Sequence, residues 1–459
     1  MIKETSRETI ESIYSQQKDF FNSFKTRDVN FRLQMLKAFR AAILKYEKRI
    51  SDALYADLRK SPQEAYLTEI SIVIQELDLH IAKIKKWSKP KRVPTPFYLL
   101  PSSSRVIYEP LGLSLIIAPW NYPFQLQMNP LVGAISSGCC AILKPSPDTP
   151  ATAKVMEELV AETFPPEYIS VIQGGRETNE RLLKHRFDLI FFTGSTTVGK
   201  VIMKAAAEHL TPVVLELGGK SPCIVDRDAD IATAARRIAW GKLINAGQTC
   251  IAPDYILAHE DVKEDLIKEL IRNMETMYGS DFKNSDFYPR IVNERAFDRL
   301  SALLNDGKVR YGGITDKADR FISPSILDEV SPDAPVMQEE IFGPILPVLT
   351  FNQAEEVISF VNQREKPLAF YYFGKNAKAR EILSKTTSGG GCINDTLAHI
   401  INHNLPFGGV GNSGTGSYHG YNSFLAFSHK RAIVKSATWI DLPVKYVPFK
   451  GFNLIRKLL

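Results

Sequence analysis

The sequence predicts an α/β protein with parallel strand pairing, on three observations. From Leu113 onward, short apolar runs of strand length alternate with runs of helical periodicity. The 459 residues exceed what one hydrophobic core usually accommodates, so two or three domains are expected. Hydrophobic content of 44% and charged content of 24% describe an ordinary globular chain with a large core available.

The first ninety residues read as helices. Leu36, Phe39, Ile43, Tyr46, Ile50 and Leu54 recur at spacings of three and four, which places them on one helical face. Ser61-Pro62-Gln63-Glu64 reads as a second helix start, with Ser61 as N-cap, Pro62 as first helical residue and Glu64 closing a capping box. Leu67, Ile70, Ile74, Leu77, Ile81 and Ile84 continue the apolar face. Between Lys89 and Pro110, four further prolines and Ser102-Ser103-Ser104 break helices and mark a boundary or an excursion.

Strands are then expected at Leu113 to Ala118, Cys140 to Leu143, Ile169 to Ile172, Leu189 to Phe192 and Val213 to Leu217. Helices are expected between them, at Asn129 to Ser136, Thr152 to Thr163, Asn179 to Lys184 and Gly199 to His209. Such alternation implies parallel pairing with right-handed crossovers. A second α/β stretch begins near Gly218, with strands at Cys223 to Val225, Tyr255 to Ala258, Ile345 to Thr350 and Leu368 to Phe373. Its helices are expected at Ala229 to Lys242, Val262 to Met277 and Gln353 to Asn362. The tail after Gly414 has weak periodicity.

Composition excludes several classes. The net charge of +6 is small for this length, and no basic run is interleaved with aromatics, so no nucleic-acid partner is expected. Five cysteines without framework spacing argue against a disulfide scaffold and fit a reducing cytoplasm. Cys139-Cys140, inside the apolar run Ile135 to Leu143, read as small buried residues. The start Met1-Ile2-Lys3-Glu4 is polar and lacks the apolar region of a signal peptide, and no stretch reaches transmembrane length. The tail Val444 to Leu459 is too short and broken to span a membrane, so no integral anchor is expected; packing against a partner subunit is preferred to contact with a membrane surface.

Two glycine-flanked segments carry the strongest chemistry. Gly247-Gln248-Thr249-Cys250 offers a thiol, and Glu216-Leu217-Gly218-Gly219-Lys220 offers a carboxylate. A thiolate attacks an electrophilic carbon, and a carboxylate activates the water that later releases the product. A lone cysteine is more often a buried core residue, so the pairing matters more than either segment. Phe191 to Lys200 runs from an apolar strand through Gly194, Ser195, Thr196, Thr197, Val198 and Gly199 into a helix. This turn is equally consistent with a phosphate site at a helix N-terminus and with an ordinary strand-to-helix connection. Pro119-Trp120-Asn121-Tyr122-Pro123 follows a buried strand; Asn121 is either an oxyanion donor or a residue capping its own turn. Lys144 ends another strand, as a contact to ribose or phosphate or as a solvated lysine. In Glu339-Glu340-Ile341-Phe342-Gly343-Pro344, Glu340 offers a ribose ligand and Phe342 a surface for a flat ring, against a plain helix-end turn.

Three patterns are refused. Gly409-Val410-Gly411-Asn412-Ser413-Gly414 fits G-x-G-x-x-G by letters but has neither the preceding strand nor the following helix. Asp226, Asp228 and Asp230 lack the glycine and terminal glutamate of a calcium loop; the first two read as loop acids and Asp230 as first-turn helix residue. His399 and His403 have HxxxH spacing without a sustained helix and read as loop residues, so no catalytic metal is expected.

Taken together, Pro119 to Pro123, Phe192 to Ser195, Glu216 to Pro222, Gly247 to Cys250, Glu340 to Pro344 and Pro406 to Gly409 resemble the aldehyde dehydrogenase superfamily, in its order and over most of the chain. Gly416-Ser417-Tyr418-His419-Gly420 and Ser423-Phe424 followed by Phe427-Ser428-His429 are similar to its class 3 branch.

The resemblance implies oxidation of aldehydes to carboxylic acids with NAD or NADP. Cys250 would be the nucleophile, Glu216 the general base for water, and Asn121 with the Cys250 N–H the oxyanion hole. Trp120, Lys144, Gly194, Ser195, Thr196, Thr197, Val198, Gly199, Leu217, Glu340 and Phe342 would hold the cofactor. The implied architecture is a Rossmann-like cofactor domain (1–90 and 111–215), an α/β catalytic domain (216–415) and a small bridging and oligomerisation element (91–110 and 416–459), with a homodimer expected. One departure stands out: the glutamate that usually follows the lysine motif is Pro147 here, with Asp148 one place later. A missing carboxylate removes repulsion against a 2′-phosphate, which predicts that NADP is accepted at least as well as in typical relatives. CoA-acylating relatives share the nucleophile but often lack the carboxylate present here as Glu216.

Overall fold

The computed structural model describes residues 4–456. The polar start Met1-Ile2-Lys3 and the last three residues of the tail lie outside the described residues. The fold is α/β, built on two mainly parallel sheets.

A long helix, Val29–Leu58, buries Leu36, Phe39, Ile43, Tyr46, Ile50 and Leu54, the face expected from their spacing. The Ser61 hydroxyl accepts the Glu64 N–H at 3.2 Å, as an N-cap should. The Glu64 carboxylate does not close the capping box; it accepts the N–H of Asn245 at 2.8 Å instead. The next helix opens with one α turn, Pro62–Ala65, passes through a π-turn, Tyr66–Ile70, and resumes α geometry at Ser71–Trp87. The extra residue turns Leu67 out of the core, where the spacing had placed it, and 65% of it is exposed.

The Pro-rich excursion forms β1 (Lys91–Val93) and β2 (Ser103–Pro110). The first large sheet holds β3 (Leu113–Ile117), β4 (Cys140–Lys144), β5 (Ile169–Val171), β6 (Leu189–Thr193) and β7 (Val213–Glu216). Their order, 5-4-3-6-7, is all parallel. β3, β4 and β6 are buried along their whole length, which is why they read as continuous apolar runs.

The second sheet uses β8 (Pro222–Val225), β9 (Tyr255–His259) and β10 (Lys308–Tyr311). After a small hairpin, β11 (Thr315–Asp316) with β12 (Phe321–Ile322), it adds β13 (Ser325–Asp328), β14 (Ile345–Phe351), β15 (Ala369–Phe373) and β16 (Gly390–Ile393). Only β10 runs antiparallel, on one edge. β17 (Gly414–Thr415) then returns to the first sheet beside β7. β18 (Ser428–Lys435) pairs with all of β2. That eight-residue strand lies in the tail whose periodicity is weak, because most of its residues are exposed on both faces.

Asp226 lies in the loop just past β8, as expected, but is buried there and accepts the Tyr372 hydroxyl at 2.7 Å. One smaller expectation is corrected. Asp230 caps the helix Ile231–Leu243 from outside it, accepting the Thr233 N–H at 2.8 Å. Cys139 and Cys140 are buried, and all five cysteines are free thiols. No helix among the described residues is long and apolar enough to cross a membrane.

Candidate active site

The strand order reverses between β3 and β6, which run to either side of a crevice at their carboxyl ends. Trp120 and Asn121 follow β3, and Gly194 to Gly199 follow β6. Lys144 ends β4 and Glu216 ends β7, so four motifs distant in sequence converge on one edge of one sheet.

Cys250 lies on a turn that leads to β9 of the other sheet. The helix Ile231–Leu243 ends, and Asn245, Ala246 and Gly247 follow in succession with φ of 52°, 51° and 75°. Three left-handed residues in a row are costly for L-amino acids and persist only where neighbours over-determine them. Gly247 cannot carry a side chain: a Cβ there would sit 2.2 Å from the Gly343 carbonyl oxygen. The Gln248 amide donates to the carbonyls of Asn245 and Arg290 and accepts the Val292 N–H, all at 3.0–3.1 Å. Thr249 bonds the Tyr122 hydroxyl at 2.7 Å. The turn delivering the thiol is thus held on every side.

Asn121 does not cap its own turn. Its Nδ2 donates to the Gln248 carbonyl at 3.0 Å, leaving its second N–H free. Its backbone carbonyl accepts from Lys60 Nζ and Asn245 Nδ2, both at 2.8 Å. Lys60 is fully buried, paired with Glu69 at 2.6 Å, and lies 4.0 Å from the Tyr122 ring centroid. Glu69 in turn accepts the N–H groups of Phe124 and Gln125 at 3.0 Å each. The sequence reading missed Lys60 and Glu69 and the reach of Glu64: Lys60 and Glu69 are nine residues apart, but their contacts to Asn121, Phe124 and Gln125, and that of Glu64 to Asn245, span 55 or more.

Cys250 and Glu216 line one cavity of about 540 Å³. Both Glu216 carboxylate oxygens are buried and have no hydrogen-bond partner, and burial holds the carboxyl well above its usual range. Burial also pushes the Cys250 thiol above its ordinary value, with the nearby Glu340 and Glu216 charges adding to the shift. Glu64 lines the same cavity and is pushed up to about 7, chiefly by burial, with Lys60 opposing. Thr193, Phe407 and Tyr418 complete the catalytic end. Leu67, Ile72, Leu126, Trp240, Met277 and Phe287 form an apolar outer wall.

The residues expected to hold a cofactor lie outside that cavity's lining. Lys144 is not solvated: it is 1% exposed, its amine meets only the Pro145 carbonyl, and burial lowers it to about 8. Its remaining donors suit ribose hydroxyls or a phosphate. Ser195 caps the helix Thr196–Ala207 by accepting the Val198 N–H, so Thr197 and Val198 sit in its first turn; Thr196 donates to the Asn412 carbonyl at 2.9 Å. Gly199 admits Leu217, whose Cδ2 would lie 2.7 Å from an added Cβ. The Glu340 carboxylate occupies the space a Cβ on Gly218 would fill, at 1.9 Å, beside a second cavity of about 420 Å³. Phe342, at φ 54°, packs edge-on against Trp120 at 5.3 Å. Lys220 fixes this loop through Asp254 at 2.6 Å and the carbonyls of Val336 and Glu339. These donors, acceptors and glycine cradles fit a dinucleotide. The refused glycine motif lies across the Thr196 end of that helix as a close-packed loop, where a Cβ on Gly409 would meet the Ser413 carbonyl at 1.9 Å.

The chain is similar to known proteins along most of its length. The sequence model of the aldehyde dehydrogenase family matches residues 1–433. The 4,4′-diaponeurosporen-aldehyde dehydrogenase of Staphylococcus aureus is 48% identical over 445 residues, covering 96% of this chain and 97% of that one. The rat dimeric NADP-preferring aldehyde dehydrogenase is 46% identical over 430 residues, covering 93% and 95%. The substrate-bound structure of Staphylococcus aureus AldH superimposes with a TM-score of 0.96 at 47% identity, covering 98% and 99%.

Proposed function

The chain belongs to the aldehyde dehydrogenase family, and from that premise we propose that Cys250, Glu216 and Asn121 carry its oxidation of aldehydes to carboxylic acids with NAD or NADP. One observation supports this assignment above the others: a cavity holds both the thiol and a carboxylate with no protein partner.

The buried thiol must first lose its proton, and the raised Glu216 carboxylate is the acceptor within the same cavity. The sulfur then attacks the aldehyde carbon and forms a thiohemiacetal. The oxyanion that develops takes the free N–H of Asn121 and the Cys250 N–H. The chemistry supplied by bound NAD(P) is hydride acceptance. Once Glu216 has passed the thiol proton to solvent, it deprotonates a water, which attacks the resulting thioester; collapse expels the Cys250 thiolate, which takes the water's proton back from Glu216, and releases the acid. The orphaned carboxylate favours water over CoA as the acyl acceptor. Lys144, the turn Gly194 to Gly199, Leu217, Trp120, Glu340 and Phe342 hold the dinucleotide in this reading.

The apolar outer wall supports apolar aldehydes as substrates. Asp148 is engaged by Asn293 Nδ2 at 3.2 Å, and Pro147 brings no charge; both support acceptance of NADP. β18 leaves one long edge unpaired among the described residues, which supports a homodimer closed through the β1–β2–β18 element. The same reading divides the chain into a cofactor unit to residue 215, a catalytic unit to 415 and that bridging element, and five free thiols fit a reducing compartment. The test is nicotinamide absorbance across straight-chain and aromatic aldehydes, with and without CoA. Wild type is expected to release acid without CoA, and Cys250→Ser to lose turnover by about 10⁴-fold or more while still binding nucleotide. Turnover by Cys250→Ser would refute the nucleophile.

A further inference from the structure

Behind the catalytic cavity lies a second cluster of titratable side chains that the reaction does not use. Glu76, on the helix Ser71–Trp87, is fully buried. Its Oε1 accepts from the Gly420 N–H at 2.8 Å and the Ser423 hydroxyl at 2.9 Å, and meets His80 Nε2 at 3.0 Å. Its Oε2 is left facing His403 Nδ1 at 3.2 Å. His419 is 1% exposed, and neither of its ring nitrogens has a partner. It also holds φ at 79°, in the left-handed region. A buried imidazole with two orphaned nitrogens on a strained backbone is unfavourable twice over, unless something supplies what the nitrogens lack.

One ligand atom each from Glu76, His403 and His419 lie within 4.8 Å of one another. Two imidazoles and a carboxylate with an open fourth position form a donor set suited to Zn²⁺. Bond lengths of about 2.0–2.2 Å place tetrahedral ligand atoms about 3.4 Å apart, so a gap of up to 4.8 Å must close by up to about 1.4 Å. The Glu76–His403 edge is already near that length. Gly420 fixes the loop, since a Cβ there would meet the His403 carbonyl at 2.2 Å. His80 and Ser423 hold Oε1 so that Oε2 stays aimed inward, the outer-shell arrangement of ligating carboxylates.

We propose that Glu76, His403 and His419 bind one Zn²⁺ per chain, at a site separate from the thiol. His403 borders a surface cavity of about 500 Å³ that gives the ion a way in. Lys83 and Lys86 border the same cavity and draw an anion or hydroxide to the fourth position. The ion joins the helix Ser71–Trp87 to two loops backing the cavity wall. The His419 ring is 4.4 Å from that of Tyr418 and 5.5 Å from that of Phe407, both of which line the catalytic cavity.

The experiment removes the competing nucleophile first. Full-length enzyme is alkylated at Cys250, stripped with a chelator, and titrated with ZnCl₂ by calorimetry and by thermal melting. One equivalent is expected to bind and raise Tm; His403→Ala, a half-buried loop change, is expected to abolish both. Zn²⁺ binding to the alkylated wild type that persists unchanged in His403→Ala would overturn the site, placing the ion elsewhere, for example at the Cys392–His399 pair. No binding to the alkylated wild type would overturn it as well. Anomalous scattering from a zinc-soaked wild-type crystal gives an independent reading: a peak among the three side chains supports the site, and its absence refutes it.

Discussion

The Glu64 carboxylate accepts the backbone N–H of Asn245 at 2.8 Å, tying the start of the helix that opens at Pro62 to the strained turn that presents Cys250. The two residues are 181 positions apart. A side chain that reads as half of a local capping device is therefore part of the scaffold of the nucleophile.

Glu64 leaves a signature in the pH dependence of stability. Burial raises it from 4.5 to about 7, so the folded state holds its proton more tightly than the unfolded state does. Its contribution is fully present below 4.5 and is lost as pH rises to about 7. The loss is at most roughly 3 kcal/mol. Glu64→Gln keeps an acceptor for Asn245 but cannot ionise. Urea unfolding at about pH 5 and about pH 8 should show a smaller drop in Glu64→Gln than in wild type. Equal drops would contradict the assignment.

The cofactor-free thiol should be sluggish. Cys250 lies above its ordinary value of 9.0 because of burial and neighbouring carboxylates. Alkylation of Cys250 by iodoacetamide, followed by mass spectrometry, should accelerate steadily with pH and show no plateau through 9.0. A rate already flat at neutral pH would mean a preformed thiolate.

Lys60→Met should damage both stability and turnover. It removes the partner of the buried Glu69 and the donor to the Asn121 carbonyl. Breaking one side of a buried ion pair costs about 3–5 kcal/mol. Denaturant melts should register that loss, and kcat should fall because Asn121 loses one of the two donors fixing its carbonyl. Wild-type kcat in a folded Lys60→Met would separate Lys60 from the oxyanion hole.

Pro147→Glu should restore a carboxylate where a 2′-phosphate would approach. The ratio of kcat/KM for NADP to that for NAD is expected to fall by about 10-fold or more through like-charge repulsion. An unchanged ratio would show that cofactor choice is made elsewhere.

The parallel strands were legible because β3, β4 and β6 are buried on both faces and leave continuous apolar runs. Thiol, carboxylate and glycine turns were legible because close backbone approach demands glycine at fixed places, as at Gly247 against Gly343. β18 was not, since an exposed strand leaves little periodicity. Lys60–Asn121 and Glu64–Asn245 were not, since hydrogen bonds across the fold leave no local spacing to read. Lys144 read as solvated or cofactor-bound with equal ease, because burial of a single lysine is decided by neighbours from other strands.

Glu216 ends a strand of the first sheet, whereas Cys250 hangs from a turn that leads into the second. Proton acceptor and sulfur thus stand on opposite sides of a seam, and a slip of about 1 Å between the halves can cost about 10²-fold in rate. Damage along that seam should silence the enzyme well before it melts, making turnover a finer gauge of how the two halves are seated than any unfolding curve.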